Sequence, residues 1–276
     1  MLKTLGGSSR QSLLSMRAAL DSKLKDLSHP AAIEFAADLF TVLTVLSSSV
    51  GVRRALTDNS RDASSKAELI SNLFGKNIGA PAQALIANAA SLRWSSPAEL
   101  ADAIEQLAVE AEASAAEKNN ELEKLEDQLF DFTRVLIANP DLRQALNTSA
   151  DSDAGKVELL EAVVKGKYAN STINLLRRVV VLRRGRSIDA TLAAYAHYVS
   201  TRNNRVVAHV KSAIALSADQ QKKLVAALTK QMGKDVHVNI EIDPKVLGGI
   251  SIRYADDVID GTMVNRLAEA GRALVS

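Results

Sequence analysis

From the N-terminus to about residue 203, apolar positions recur three and four residues apart in a sequence rich in Leu, Ala, Glu, Lys and Arg. That period predicts one amphipathic helix after another. The clearest helix start is Ser96-Pro97-Ala98-Glu99. Serine suits the cap, proline the first helical position, and glutamate can reach back to close a capping box. The helical pattern that follows runs to Asn139-Pro140, with a break expected near Asn119-Asn120; it is acidic from Glu110 to Asp127 and then turns apolar. At about Arg205 the period drops to two. "VVAHVKS", "VHVNIEI" and "GISIRY" alternate, with Val236, Val238, Ile240 and Ile242 on one face, the pattern of half-buried strands. Between the first two strands, Ser217-Ala218-Asp219-Gln220 opens a helix that should end near Gly233. Thr262 to Val275 places Met263, Leu267, Ala270 and Leu274 on one helical stripe.

The helical region also repeats itself. At a constant offset of 90 residues, Leu39-Phe40 matches Leu129-Phe130, Val45-Leu46 matches Val135-Leu136, and Ala55-Leu56 matches Ala145-Leu146. Lys66, Glu68 and Leu69 match Lys156, Glu158 and Leu159, and Leu92-Arg93 matches Leu182-Arg183. One register held without a gap points to a duplicated domain, with a period too long for the common solenoids. The expected fold is therefore mainly α: two tandem helical bundles, 1–106 and 107–203, followed by a small α/β domain, 204–276, in the order strand, helix, strand, strand, helix.

Composition narrows the function classes. The 276 residues are 47% hydrophobic and 24% charged, with a net charge of +2 that is too small to argue for nucleic acid by itself. There is no cysteine, which excludes disulfides and thiolate metal sites. The longest uncharged stretches, Leu39 to Val52 and Ile78 to Leu92, fall short of the ~20 apolar residues of a membrane helix. The first twenty residues lack the continuous apolar core of a signal peptide. Membrane association is therefore expected only through a partner.

Catalytic and metal templates fail one by one. Gly155-Lys156 is followed by Val157 and has Ala150 where a P-loop needs its first glycine. In "DSDAGKVELLE", Gly155 falls at calcium-loop position five and Ala162 stands where a bidentate carboxylate is required, so a turn capping the next helix is the better reading. His29, His197, His209 and His237 have no partners at metal-ligand spacing, and no G-x-S-x-G elbow exists. No catalytic residue, metal ligand or cofactor site is expected. "LLRRVVVLRRGR" carries Arg177, Arg178, Arg183, Arg184 and Arg186. It reads either as a docking site for an acidic helix or phosphate backbone, or as the solvated rim of an amphipathic helix. Aromatics at 4% leave few stacking platforms for bases.

The paired glycines of "EIDPKVLGGISIRYADDVIDGT" resemble a phosphate cradle until their order is considered. A cradle follows a strand and opens a helix; Gly248-Gly249 instead precedes the strand "ISIRY", and Asp243-Pro244 closes the one before. The stretch joins two strands, and Asp260-Gly261 makes a further turn toward the last helix. Asp243-Pro244, Gly248-Gly249, Ile252-Arg253, Asp257 and Ile259-Asp260-Gly261, followed by Arg266-Leu267, resemble the C-terminal signature of the delta subunit of F-type ATP synthase, the oligomycin-sensitivity-conferring protein family. Ala255 and Thr262 depart mildly from that pattern, where glycine and serine are usual. The extra helical copy resembles the extended actinobacterial type.

The resemblance implies a noncatalytic stator subunit, one per complex, on the cytoplasmic face of the cell membrane. It would join N-terminal segments of the alpha subunits to the b subunits of the peripheral stalk, with no cofactor and no nucleic acid. The second copy adjoins the C-terminal domain as in the family's layout and is favoured for the alpha contact. The stripe Met263, Leu267, Ala270, Leu274 is either a surface for b or ordinary packing on the sheet. Arg177, Arg178, Arg183 and Arg184, with the acidic run 110–127, are candidate rims. The alternative is a free-standing helical adaptor or nucleic-acid-binding protein using the Arg177–Arg186 cluster.

Overall fold

The computed structural model describes residues 5–148, 152–203, 206–214, 216–232, 236–242, 250–254 and 257–260. The chain divides into two units, Met1–Asn203 and Asn204–Ser276. The first is helical: α1 (Gly7–Asp26), α2 (His29–Ser48), α3 (Val50–Thr57), α4 (Ala63–Phe74), α5 (Ala80–Ser91), α6 (Pro97–Lys118), α7 (Leu122–Ala138), α8 (Pro140–Asn147), α9 (Asp153–Val164), α10 (Asn170–Val181) and α11 (Ile188–Asn203).

The sequence repeat reappears as a repeat of elements. α8, α9 and α10 begin and end 90 residues after α3, α4 and α5. α7 ends 90 residues after α2, and α6 begins 90 residues after α1. The two copies are thus α1 to α6 and α6 to α11, with α6 serving both. α1 packs on α5 and α6, and α6 packs in the same way on α10 and α11. The expected boundary at 106/107 lies inside α6, so the copies share this helix and are not joined by a linker. Fifteen of its 22 residues are buried, which makes it an all-round core helix. Its many alanines, among them Ala101, Ala108, Ala111 and Ala115, let α2 approach on one side and α11 on another. One continuous cluster of buried side chains runs through both copies, from Leu13 to Val199.

Local signals account for most of the boundaries. Asn120 has φ 55°, the left-handed conformation asparagine tolerates, and it breaks the chain between α6 and α7 where expected. Pro140 opens α8. Asp62 caps α4 by accepting from the Ser65 N–H, and Ser152 caps α9 by accepting from the Gly155 N–H. The predicted capping box at Ser96 does not form. Ser96 makes no side-chain cap bond, and Glu99 accepts from the Gly6 N–H at 3.3 Å instead. A tertiary partner, the start of α1, takes the carboxylate that local geometry would have used. α2 is the one described helix long and apolar enough to cross a membrane; its Phe35, Leu39, Phe40, Leu43 and Leu46 are buried within the helical unit.

The second unit is a mixed sheet with one described helix: β1 (Val206–Ser212), α12 (Ala218–Met232), β2 (Val236–Ile242), β3 (Ile250–Tyr254) and β4 (Asp257–Asp260). The strand order is β2-β1-β3-β4. β1 and β2 are parallel, joined by α12 as a crossover, whereas β3 pairs antiparallel with β1 and with β4. The capping box predicted at Ser217 is present, with Ser217 N–H donating to Gln220 Oε1 at 2.8 Å and Gln220 N–H to Ser217 Oγ at 3.3 Å. Val210, Leu228, Val236 and Ile252 form the core, with Val238, Ile240 and Ile250 packed on it.

Two points differ from the pattern read along the chain. The strands joined by "DPKVLGG" are not neighbours, because β1 lies between them. Residues 257–260, of which only Asp260 was read as part of the turn toward the last helix, form a strand that extends the ladder through Arg253↔Val258 and Ser251↔Asp260. Arg253 and Asp260 therefore belong to the sheet. Asp243, Pro244, Gly248, Gly249, Gly261 and the stripe Met263, Leu267, Ala270, Leu274 lie outside the described residues.

Candidate functional site

The arginine run was the most prominent charge feature in the sequence, and the fold engages most of it internally. Arg177 lies on the outer side of α10 and pairs with Glu161 at 2.7 Å in an exposed ion pair, a type that contributes only ~0–1 kcal/mol. Arg178 turns inward, its guanidinium 5.1 Å from the centre of the Phe40 ring on α2. Arg183 donates to the Asn147 carbonyl at 2.9 Å and to its side chain at 3.2 Å, closing the end of α8. Arg184 reaches α6, 2.8 Å from Asp102 and 2.9 Å from Glu105, and Arg186 also bonds Glu105.

The acidic run divides in the same way. Glu110 and Glu112 are buried in α6, as is Glu105 ahead of them, so the N-terminal part of the stretch 110–127, read as a rim, is core. Each is satisfied by a different part of the chain. Glu105 takes Arg184 and Arg186 from the α10–α11 turn. Glu110 takes Arg17 of α1 at 2.7 Å and Gln106 at 3.0 Å. Glu112 accepts from Asn174 of α10 at 3.0 Å, and Arg178 and His29 act on it electrostatically. Burial pushes the Glu112 carboxyl up from 4.5 to about 7, and Asn174, Arg178 and His29 only partly offset it. At the far end of the clasp, Arg202 of α11 bridges Asp21 of α1 at 2.9 Å and Glu117 at 3.5 Å. These pairs fix the two copies in one arrangement around α6, since a buried charge without its partner is costly.

Two large apolar side chains of α7 stay outside. On α7 the core stripe is Leu125, Leu129, Phe132 and Leu136, and one position further on stand Phe130 and Ile137, 64% and 67% exposed. Beside them is a shallow concavity of about 430 Å³. Tyr168 donates to Asp131 at 2.6 Å on its wall. This bond and the Arg134 pair hold the Asp131 carboxyl below the usual carboxylate range. Arg134 also lies 5.7 Å from the Phe130 ring centre. The repeat flagged Phe130 only as the partner of Phe40; its place one step off the heptad stripe was the signal that it faces out.

The remaining candidates are accounted for locally. In "DSDAGK", Ser152 caps α9. His29 Nδ1 lies 2.8 Å from the Ala115 carbonyl, and His197 is exposed on α11. Among the described residues, no three His, Asp or Glu side chains gather as a metal-binding group.

A molecule held together by internal ion pairs, with apolar side chains left outward, is organised for contacts with other proteins, and comparison with known families agrees. The profile of the family "ATP synthase delta (OSCP) subunit" matches residues 104–274, from within the shared helix α6 almost to the C-terminus. The chain belongs to the ATP synthase delta (OSCP) subunit family. The ATP synthase subunit delta of Streptomyces coelicolor is 39% identical over 98% of this chain and 98% of its own length. That of Streptomyces avermitilis is 38% identical over 99% and 100%, and that of Kineococcus radiotolerans 38% over 97% and 97%. The extended length, first copy included, is therefore shared with actinobacterial delta subunits. A chain of the Toxoplasma gondii mitochondrial ATP synthase hexamer is 26% identical, covering 61% of this chain and 97% of that one, with a TM-score of 0.28 that supports no structural argument.

Proposed function

We propose that this chain is the noncatalytic stator subunit of an F-type ATP synthase, linking the catalytic head to the peripheral stalk so that the head resists the torque of the rotor. The observation that carries the reading is the family match over 104–274, which takes in the second helical copy and the sheet domain together. The helical unit would take N-terminal segments of alpha subunits, since amphipathic partner helices dock between bundle helices by i, i+3, i+4 contacts. The C-terminal domain, with the stripe Met263, Leu267, Ala270 and Leu274, would meet the b subunits. One copy would sit in each complex, peripheral to the cytoplasmic face of the membrane. The ion-pair clasp suits this role, because a linker under lateral load needs two copies that do not shear apart.

A tagged chain used as bait on detergent-solubilised membranes should recover alpha and b subunits. Removing 204–276 should lose b and retain alpha. Recovery of neither subunit with the full chain, or micromolar ATP binding by the isolated chain in calorimetry, would overturn the reading.

A further inference from the structure

We propose that the groove between α1 and α5 is a docking site for an amphipathic helix of another protein chain, one that presents an uncharged, apolar face. The internal repeat provides the argument. In the second copy the corresponding groove lies between α6 and α10, and the chain's own α2 lies over it. That helix packs along α6, with His29 Nδ1 2.8 Å from the Ala115 carbonyl. It reaches α10 through Phe40, whose ring centre is 5.1 Å from the Arg178 guanidinium. α2 is nearly free of charge there: from Phe35 to Ser48, Asp38 is its one charged residue. The second-copy groove is thus taken internally, and the groove left for a partner is in the first copy, outside the family match at 104–274.

The lining indicates the chemistry of the occupant. Glu112 and Asn174, which meet at 3.0 Å in the second copy, correspond to Ser22 of α1 and Ala84 of α5. Among the described residues, α1 exposes Gln11, Leu14, Ala18 and Ser22 on this side, and α5 exposes Ala84 and Ala87. Leu14 is 63% exposed, whereas its equivalent on α6, Ile104, is fully buried. α5 contains no charged residue. Arg17 and Asp21 of α1 are taken up by Glu110 and Arg202. The charges at 112 and 178 are replaced by Ser22 and Asn88. In a chain that is 24% charged, such a surface is complemented by an apolar helix face and penalises a charged one. A second copy of this chain does not fit. The internal copies share a helix, so a second molecule repeating the α2 arrangement would need its α11 where α1 already stands.

Identifying the occupant as a subunit of the synthase rests on the stator reading; the groove itself does not. The test places p-benzoylphenylalanine at Leu14 of the full chain, irradiates whole cells, and maps cross-linked peptides after purification, with the probe at exposed Glu68 as control. The expected product joins position 14 to an amphipathic segment of another polypeptide with an uncharged apolar stripe. Ala84→Glu and, on the other helix, Ala18→Glu should each cut its yield about tenfold, because each sets an unpaired carboxylate in the contact. Ala84→Ser should keep it. Cross-links confined to this chain, joined to a second copy, joined to a segment charged on every side, or absent, would overturn the proposal, as would a yield that neither glutamate lowers. A chain that fails to co-purify with other synthase subunits would instead sink the stator reading, while the cross-link from position 14 still decides the groove.

Discussion

Phe40 and Phe130 occupy the same place in two copies of one bundle, yet one is sealed in the core and the other is 64% exposed. The difference does not lie in the helices that carry them, which match in their register and in the way they are tied down. In the first copy, Asp38 accepts from the Gly79 N–H at the start of α5 at 2.8 Å. In the second, Gln128, the equivalent residue, accepts from the Ala169 N–H at the start of α10 at 2.9 Å and from the Thr172 hydroxyl. Duplication kept the scaffold and changed its surroundings. The first copy has the second lying against it; among the described residues of the helical unit, Phe130 and Ile137 on the corresponding face of α7 stay exposed. Burial at a repeated position is thus decided by the neighbouring copy.

The contrast can be broken most severely at the shared helix. Glu105→Ala leaves Arg184 and Arg186 without their buried partner, and should cost about 3–5 kcal/mol, read as a lower urea midpoint for loss of helical circular dichroism. Phe40→Ala should cost a similar ~3–5 kcal/mol because it opens a cavity under Arg178 and beside Tyr195, whereas Phe130→Ala should stay within about 0.5 kcal/mol. Equal effects of the two would mean that the difference in burial is not real.

Glu112 gives a smaller, pH-dependent effect. Its carboxyl binds a proton more tightly folded than unfolded, since burial raises it from 4.5 to about 7. This group's contribution to stability is therefore greatest below 4.5, declines as pH rises toward 7, and is an unfavourable plateau above it, a span of roughly 3–4 kcal/mol. Glu112→Gln, which keeps an amide to meet Asn174, should remove that slope and raise the melting temperature at pH 8. A variant with an unchanged pH slope would place the titration elsewhere. Smallest are the paired ties at the helix starts: Asp38→Ala and Gln128→Ala should each cost about 0.5–2 kcal/mol, by similar amounts if the copies are equivalent.

Much of this was legible along the chain. The 90-residue register, the break at Asn119-Asn120, the Pro140 start, the Ser217 capping box and the alternating strands follow from period and from residues with local conformational demands. Those are short-range effects, and they survive whatever surrounds them. The family signature in 243–267 was likewise visible as an ordered set of turn residues and strand positions. The assignment of charge was not. Four arginines and several glutamates looked like solvated rims, because a charged residue on an amphipathic helix usually faces water; their partners lie far away in sequence, as Arg17 does from Glu110 and Arg184 from Glu105.

The sequence alone determined that two copies of one helical pattern precede an α/β domain, since helix and strand periods are properties of consecutive residues. Only the tertiary structure decided that the copies share α6, that Glu99 abandons its capping box for Gly6, that β1 separates the strands joined by "DPKVLGG", and which phenylalanine faces out. Each of these depends on which segments approach one another. That is fixed by the burial of a whole surface and by the pairing of buried charges, and neither is encoded in any single stretch of the chain.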